Sequence, residues 1–306
     1  RHATFRIGMD WLSLIDKSDF FWQYPVCTEK QFCVQNNLQE NFLGFPWATV
    51  IDKRIDLNSV YNFLLPHLQT EKKYYTSCQH ILFRSLKNIF EALPINLVYT
   101  SHKIIDEEFL SSIKLKPCPL YAVNIEDPHR NSKFTGIDLL SVKRDILFSF
   151  CGGYQQGYLT DIRPKIFSLP PSDEYVIRNT GDWHFNEAVY SHMQNSLGEL
   201  NESERRRLNT EMYNELLIRS RFSLCPSGSG PNSIRFWESL GAGSIPVLLA
   251  DTLELPDNKL WEKSIVKIKE SEIESLESYL RNISEEEEQD RRRLCLELYD
   301  FYRSNY

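Results

Sequence analysis

Apolar positions recur along this chain in two spacings: short compact runs bounded by turn residues, and longer stretches with one apolar face. The first pattern marks buried strands and the second amphipathic helices. Residues 5–9 and 48–51 read as short strands, and 59–68 as a helix. Thr76 and Gln79 have capping-box spacing ahead of Ile81, Leu82, Leu86, Ile89 and Phe90, which predicts a second helix after Tyr74-Tyr75. A strand over 94–99 ends at Thr100-Ser101-His102. A helix over 106–113, a strand over 120–125 and a polar loop over 126–135 follow.

The second half repeats the alternation. Residues 144–150 enter a buried strand that ends in Cys151-Gly152-Gly153, and 209–220 form a helix leading into a strand at 221–225. Pro226-Ser227-Gly228-Ser229-Gly230-Pro231 continues neither helix nor sheet. Asn232 and Ser233 both suit the N-cap of a helix over 234–240, which Gly241 and Gly243 stop ahead of a strand at 244–249. A strand at 265–268, a helix at 271–282 and a final helix opened by Ser284 and Glu287 complete the chain, with Leu294, Leu298 and Phe301 on one face. This order predicts an α/β protein with two doubly wound sheets facing one cleft. The first domain takes residues 1–140 and the second 141–306, crossing within 126–143. The last helix, 285–306, is placed to pack back on the first domain.

Composition narrows the class. The chain has 306 residues, 42% hydrophobic and 25% charged, with a formal charge of −7. That balance fits a globular protein and excludes a general nucleic-acid binder. No apolar run approaches the roughly 20 residues of a membrane span, and no signal peptide is visible. Arg1 is not a natural start, so an upstream anchor or targeting segment is compatible with the sequence. A cytoplasmic setting (a host cytoplasm for a viral protein) and a Golgi-like lumen behind such an anchor are the two expectations. The seven cysteines lack zinc spacing and read as reduced, mostly buried thiols. The sequons at Asn201 and Asn282 are read as chance, and the charge runs 203–207 and 285–293 as solvated helix faces.

The candidate chemistry gathers at strand ends. A glycine-rich turn feeding a helix N-terminus offers unpaired N–H groups and a positive dipole end to a phosphate. Gly152 and Gly153 let backbone approach a ligand, and Arg163 follows within reach of the same edge, able to fork onto a diphosphate. His80 falls in the first turn of its predicted helix. His102 falls at the carboxyl end of a strand, the ligand-facing edge of an open sheet. Trp22 and Trp47 suit either a sugar cleft or the core, and Gly181-Asp182-Trp183-His184-Phe185 borders the cleft.

The run Ser220 to Pro226, with Gly228, Gly230, Ser233, Arg235, Glu238, Leu240, Ala242-Gly243 and Ile245-Pro246-Val247, resembles the signature of exostosin-like glycosyltransferases. The likeness extends more loosely through Phe148 to Arg163. Upstream it is confined to Cys78-Gln79-His80 and Ser101-His102, which look like pieces of the smaller microbial and viral members. The resemblance implies a GT-B fold of two Rossmann-like domains. The N-terminal domain would hold a glycan or glycoprotein acceptor and the C-terminal domain a nucleotide sugar, usually a UDP-sugar, with inverting transfer and no bound metal or other cofactor. It assigns Ser227, Gly228, Ser229 and Gly230 after Pro226 to the diphosphate, and Glu238 to the ribose hydroxyls. Ser233 and Arg235 sit on the following helix turn. The family often has a bulky or basic residue after Cys-Pro. Here it is Ser227, which shifts phosphate contact toward Arg221 or Arg235.

The chain has no Asp-x-Asp pair, which the metal-dependent transferases of the other major fold use to hold a divalent ion. Leaving-group stabilisation then falls to Arg163, the helix dipole and the loop amides. An inverting displacement also needs a base beside the acceptor hydroxyl. His80 is the first candidate, then Asp182, His102 and Asp52. The alternatives are an inactive nucleotide-sugar or glycan-binding module of the same fold, and an epimerase or phosphorylase on the same architecture.

Overall fold

The computed structural model of the chain describes residues 7–181 and 204–305, arranged around two separate sheets. Four helices precede the first sheet: α1 (Trp11–Asp16), α2 (Thr28–Asn36), α3 (Trp47–Asp52) and α4 (Leu57–Leu64). Then come β1 (Tyr74–Cys78), α5 (Lys87–Ala92), β2 (Ile95–Thr100), β3 (Phe109–Leu110), β4 (Ile113–Pro117) and α6 (Val123–Glu126). The sheet order is β1-β2-β4-β3, parallel except for the β3–β4 hairpin.

The second sheet belongs to β5 (Ile146–Gly152), α7 (Ile162–Phe167), β6 (Val176–Asn179), α8 (Glu204–Arg219), β7 (Ser220–Pro226), α9 (Ile234–Ala242), β8 (Ile245–Leu249), α10 (Trp261–Ser264) and β9 (Val266–Lys267). Two further helices, α11 (Leu276–Arg281) and α12 (Glu285–Ser304), end the described chain. The order is β6-β5-β7-β8-β9, all parallel. The chain leaves β5 toward one edge and β7 toward the other. Their carboxyl ends therefore flank a topological switch point, where open α/β sheets bind ligands.

Each sheet has its own core. One runs from Trp11 to Cys118 and the other from Leu120 to Tyr302, so the cores divide ahead of residues 126–143. Beyond β2 the chain is stitched to the second half: Ile104 bridges Leu253, and the Ile105 N–H donates to the Thr252 carbonyl at 2.9 Å. Lys103, fully buried there, meets Glu254 at 2.6 Å and Glu108 at 3.3 Å. Helix α12 packs on the second core through Cys295, Leu298, Tyr299 and Tyr302. It reaches residues 1–140 at both ends: Gln289 donates to the Leu140 carbonyl at 3.1 Å, Gln35 donates to the Arg303 carbonyl at 2.6 Å, and the Tyr299 hydroxyl meets Glu126.

Several predicted elements change type. Residues 48–51 belong to α3. The stretch from Tyr74 is β1, because Thr76 spends its hydroxyl on the Leu43 carbonyl and the Trp47 indole N–H instead of capping a helix. Helix is confined to α5, after a short 3-10 turn at Phe83–Leu86. Residues 106–113 hold the β3 hairpin, whose left-handed Ser111 (φ 57°) turns the chain in two residues. The 120–125 strand is replaced by the turn and short helix α6. Residues 7–9 carry no regular structure, and the rest of the predicted 5–9 strand lies outside the described residues.

The inner face of α12 is turned from the predicted one. Phe301 is 50% exposed, whereas Arg292 is buried and donates to the Gly243 carbonyl at 2.8 Å. Trp22 and Trp47 both serve the core, Trp47 edge-on to Phe90. All seven cysteines are free, five of them buried. No helix among the described residues is long and apolar enough to cross a membrane.

Candidate active site

A cavity of about 1010 Å³ lies between the carboxyl ends of the two sheets, a volume suited to a nucleotide sugar. One wall is the switch point: Gly152 and Gly153 beyond β5, then Gly228, Ser229 and Gly230 in the loop after β7, and Ser233, Arg235 and Glu238 on α9. Helix α9 starts there because Ser233, extended at φ −135°, turns its hydroxyl to the Arg235 N–H. It stops because Gly243 takes the left-handed conformation at φ 69°. Asn232 fixes the loop's exit by accepting from the Trp237 indole at 3.1 Å and donating to the Ser101 carbonyl at 2.8 Å.

Two arginines dominate this wall. Arg163, buried, donates from Nε to the Ser227 carbonyl at 3.0 Å and from Nη1 to the Gly153 carbonyl at 2.9 Å. Arg235 donates to the Cys151 carbonyl at 2.6 Å, and its buried Nε has no protein partner. Both guanidiniums rest on the Phe150 ring, at 5.5 and 4.7 Å from its centre. Burial, then the neighbouring Arg235 charge, lowers the Arg163 pKa to about 9. Among the described residues neither arginine has a carboxylate within ion-pair distance, so two like charges face the cavity with only neutral oxygens, carbonyls and the Ser233 hydroxyl, to hold them. A side chain at Gly152 or Gly228 would strike Arg235 or Arg163, which is why those positions lack one.

Glu238 is 3% exposed, not a surface carboxylate. It accepts from the Asn124 N–H at 2.9 Å and the Tyr213 hydroxyl at 3.2 Å. Burial raises its pKa to about 7, against the pull of those two bonds and of the nearby arginines. The Asn124 Oδ1 beside it is buried with no protein partner.

The opposite wall comes from the first half of the chain, through Gln23, Asp52, Gln79, His80 and His102. His80 lies in the loop past β1, not in a helix turn, so no helix dipole acts on it. The Leu82 N–H donates to its Nδ1 at 2.9 Å, and its Nε2 faces Asp52 Oδ1 at 2.8 Å. With Nδ1 occupied as an acceptor, the proton sits on Nε2 and is donated to Asp52. Gln23 Nε2 donates to the other Asp52 oxygen. His102 does stand at the carboxyl end of β2, but its ring is packed against Gly230 and Ile81. Burial, and then the neighbouring His80 and Arg84, lower its pKa to about 3, so it is neutral.

Three of the expected donor residues are elsewhere. Arg221 opens β7 at its far end and pairs with Glu288 at 2.6 Å. Pro226 completes β7 opposite Leu249, and Ser227 turns its hydroxyl to Glu270 at 3.1 Å, bracing the loop from behind. Asp182 and its neighbours 183–185 lie outside the described residues. Conversely, Arg205 and Arg206 line the cavity although their charge run reads as a solvated face. Gln23, Asn124 and Tyr213 line it without any local sequence signal. Among the described residues no three His, Cys, Asp or Glu side chains converge as a metal cluster would.

The exostosin GT47 domain matches residues 89–283, which include both sides of the switch point. The chain belongs to the exostosin GT47 family. Among its relatives, an exostosin-1 homolog of Caenorhabditis elegans is 28% identical over 172 residues, 54% of this chain and 42% of that protein. A probable glucuronosyltransferase 47 A of Physcomitrium patens is 39% identical over 84 residues, 27% of this chain and 19% of that protein. A probable glycosyltransferase of Arabidopsis thaliana is 38% identical over 76 residues, 24% of this chain and 16% of that protein. The matched segments thus span less than half of each relative.

Proposed function

We propose that this exostosin-family protein is an inverting, metal-independent glycosyltransferase that moves a sugar from a UDP-sugar to a glycan hydroxyl. The observation that carries the reading is the Arg163–Arg235 pair: one buried and one half-buried cation, held by carbonyls and a serine hydroxyl with no carboxylate among their described partners, beside a glycine loop and a helix N-terminus. A diphosphate answers that arrangement in charge and in shape. The same groups stabilise the charge that grows on the leaving diphosphate, the work a metal does elsewhere. Glu238, when ionised, accepts from the ribose hydroxyls. In GT-B terms, residues 141–306 carry the donor and residues 1–140 the acceptor; the two sheets and two cores support two bodies, with Leu120 and Ala122 already packed on the second core.

The base in this reading is Asp52. His80 has committed both ring nitrogens, whereas the Asp52 carboxylate keeps lone pairs toward the cavity while His80 and Gln23 hold it in place. Two relatives named as probable glucuronosyltransferases make UDP-glucuronic acid the first donor to try. The test is UDP release from a panel of UDP-sugars in the presence of a chelator. Turnover of one donor with glycan present supports the reading. Tight UDP binding with every donor left intact marks an inactive binding module instead.

A further inference from the structure

We propose that Glu29 is a positioning residue for the reaction: it sets the relative placement of Asp52 and His80 without touching substrate. The inference rests on the assignment of Asp52 as base and adds a residue with no sequence signal. Glu29 lies at the second position of α2, 2% exposed. Its carboxylate accepts the Ala48 N–H at 3.1 and 3.2 Å and the Gln79 N–H at 3.0 Å. These two donors sit on the two arms that carry the dyad. Ala48 is the second residue of α3, one turn before Asp52 on the same face, and Gln79 directly precedes His80.

Helix α3 has no cap of its own, since the N-cap Pro46 makes no side-chain bond. Glu29 supplies that cap from another helix. Gln79 returns the favour. Its Oε1 accepts the Glu29 N–H at 2.9 Å, at the start of a helix whose N-cap Cys27 caps nothing. Its Nε2 donates to the Val26 carbonyl at 2.8 Å and reaches the Gln23 Oε1 at 3.4 Å. Gln23 in turn donates to Asp52. The circuit closes: Glu29 to α3, along α3 to Asp52, through Gln23 and Gln79 back to Glu29. Burial of this carboxylate also raises its pKa to about 8, since no cation pairs with it among the described residues.

The chemistry needs that geometry. A base displaced by about 1 Å from its productive position costs on the order of a hundredfold in rate. Glu29→Gln keeps the volume but turns an amide N–H₂ toward the Ala48 N–H, which both carboxylate oxygens share in the unaltered chain, so the repulsion falls on the α3 arm that carries Asp52.

The experiment compares Glu29→Gln and Asp52→Asn with the unaltered chain. It measures kcat and KM for UDP release from the UDP-sugar that turns over, across pH, and UDP affinity by titration. The titration counts folded donor sites, and kcat is expressed per site. Glu29→Gln is expected to lose about tenfold to a hundredfold in kcat per site, with UDP affinity within twofold of the parent and the acid limb of the kcat–pH profile displaced. Unchanged kcat per site and an unchanged acid limb overturn the proposal. If Glu29→Gln binds no UDP, Gln79→Leu, which opens the same circuit, must show the same kcat loss at kept UDP affinity, and a normal kcat there overturns it. Asp52→Asn separates the two layers. Retained turnover in Asp52→Asn removes the base assignment itself, whereas its loss beside a normal Glu29→Gln removes only the role of Glu29.

Discussion

His80 Nε2 stands 2.8 Å from Asp52 Oδ1, and the Leu82 N–H on Nδ1 fixes the imidazole as the donor of that bond. The order of importance of the two residues follows. Asp52→Asn removes the proton acceptor and is expected to lower kcat by about 10²- to 10⁴-fold at unchanged UDP affinity. His80→Ala removes only an orienting donor and is expected to cost less. Steady-state kinetics on both variants checks the ranking. A larger loss at His80 than at Asp52 would return the base to the histidine.

Arg163 and Arg235 hold the diphosphate in this account. Replacing either with Met is expected to weaken UDP by about tenfold to a hundredfold, the worth of a charge-assisted hydrogen bond. Uridine, which lacks the phosphates, is expected to bind both variants as it binds the parent. Calorimetric titration with the two ligands makes the comparison, and equal losses for both would place the phosphates elsewhere.

In this account Glu238 gives the proposed donor site a pH dependence. Its pKa, ordinarily 4.5, stands at about 7 in the ligand-free protein through burial. The folded protein therefore keeps a proton that the unfolded chain has lost between these values. That contribution to stability is complete below 4.5 and disappears as pH rises through about 7. Ribose hydroxyls favour the ionised form, so UDP-sugar binding is expected to tighten as pH rises toward 7 and to release protons. Titrations in buffers of different ionisation enthalpy count those protons. Glu238→Gln is expected to bind more weakly and with a flat pH profile. A profile as steep as the parent's would assign the proton to another group.

The donor loop and the first half of the chain meet where Gly230 lies against His102, and a Cβ there would collide with the ring. Gly230→Ala is expected to destabilise the protein by about 1–3 kcal/mol, the usual cost of overpacking. His102→Ala in the same chain is expected to recover part of it, the Ile81 methyl contact remaining. Thermal unfolding of the two single variants and the double variant closes the cycle, and strict additivity would show that the two residues do not press on each other.

What the sequence revealed divides by range. The stretch from β7 to β8 was legible because its signals are local: a β-prone run, a loop of prolines and glycines, an N-cap serine and a C-terminal glycine. The first half was not, because its elements answer to distant partners. Thr76 has the spacing of a cap but is claimed by Trp47 and Leu43, and α3 is capped by Glu29, far along the chain. Arg221 and Arg235 look alike in the motif, and only the strand direction separates them by the length of β7. The Asp52 pairing, set by residues 28 positions apart, has no spacing to read.

The measurement closest to the central claim is proton NMR of the first product formed from an α-linked UDP-sugar by the folded protein in chelator. A single displacement by a base-activated hydroxyl, with the diphosphate leaving between Arg163 and Arg235, predicts release of UDP and a β-linked product. An α-linked product, or donors left intact by a protein that binds UDP tightly, would contradict it.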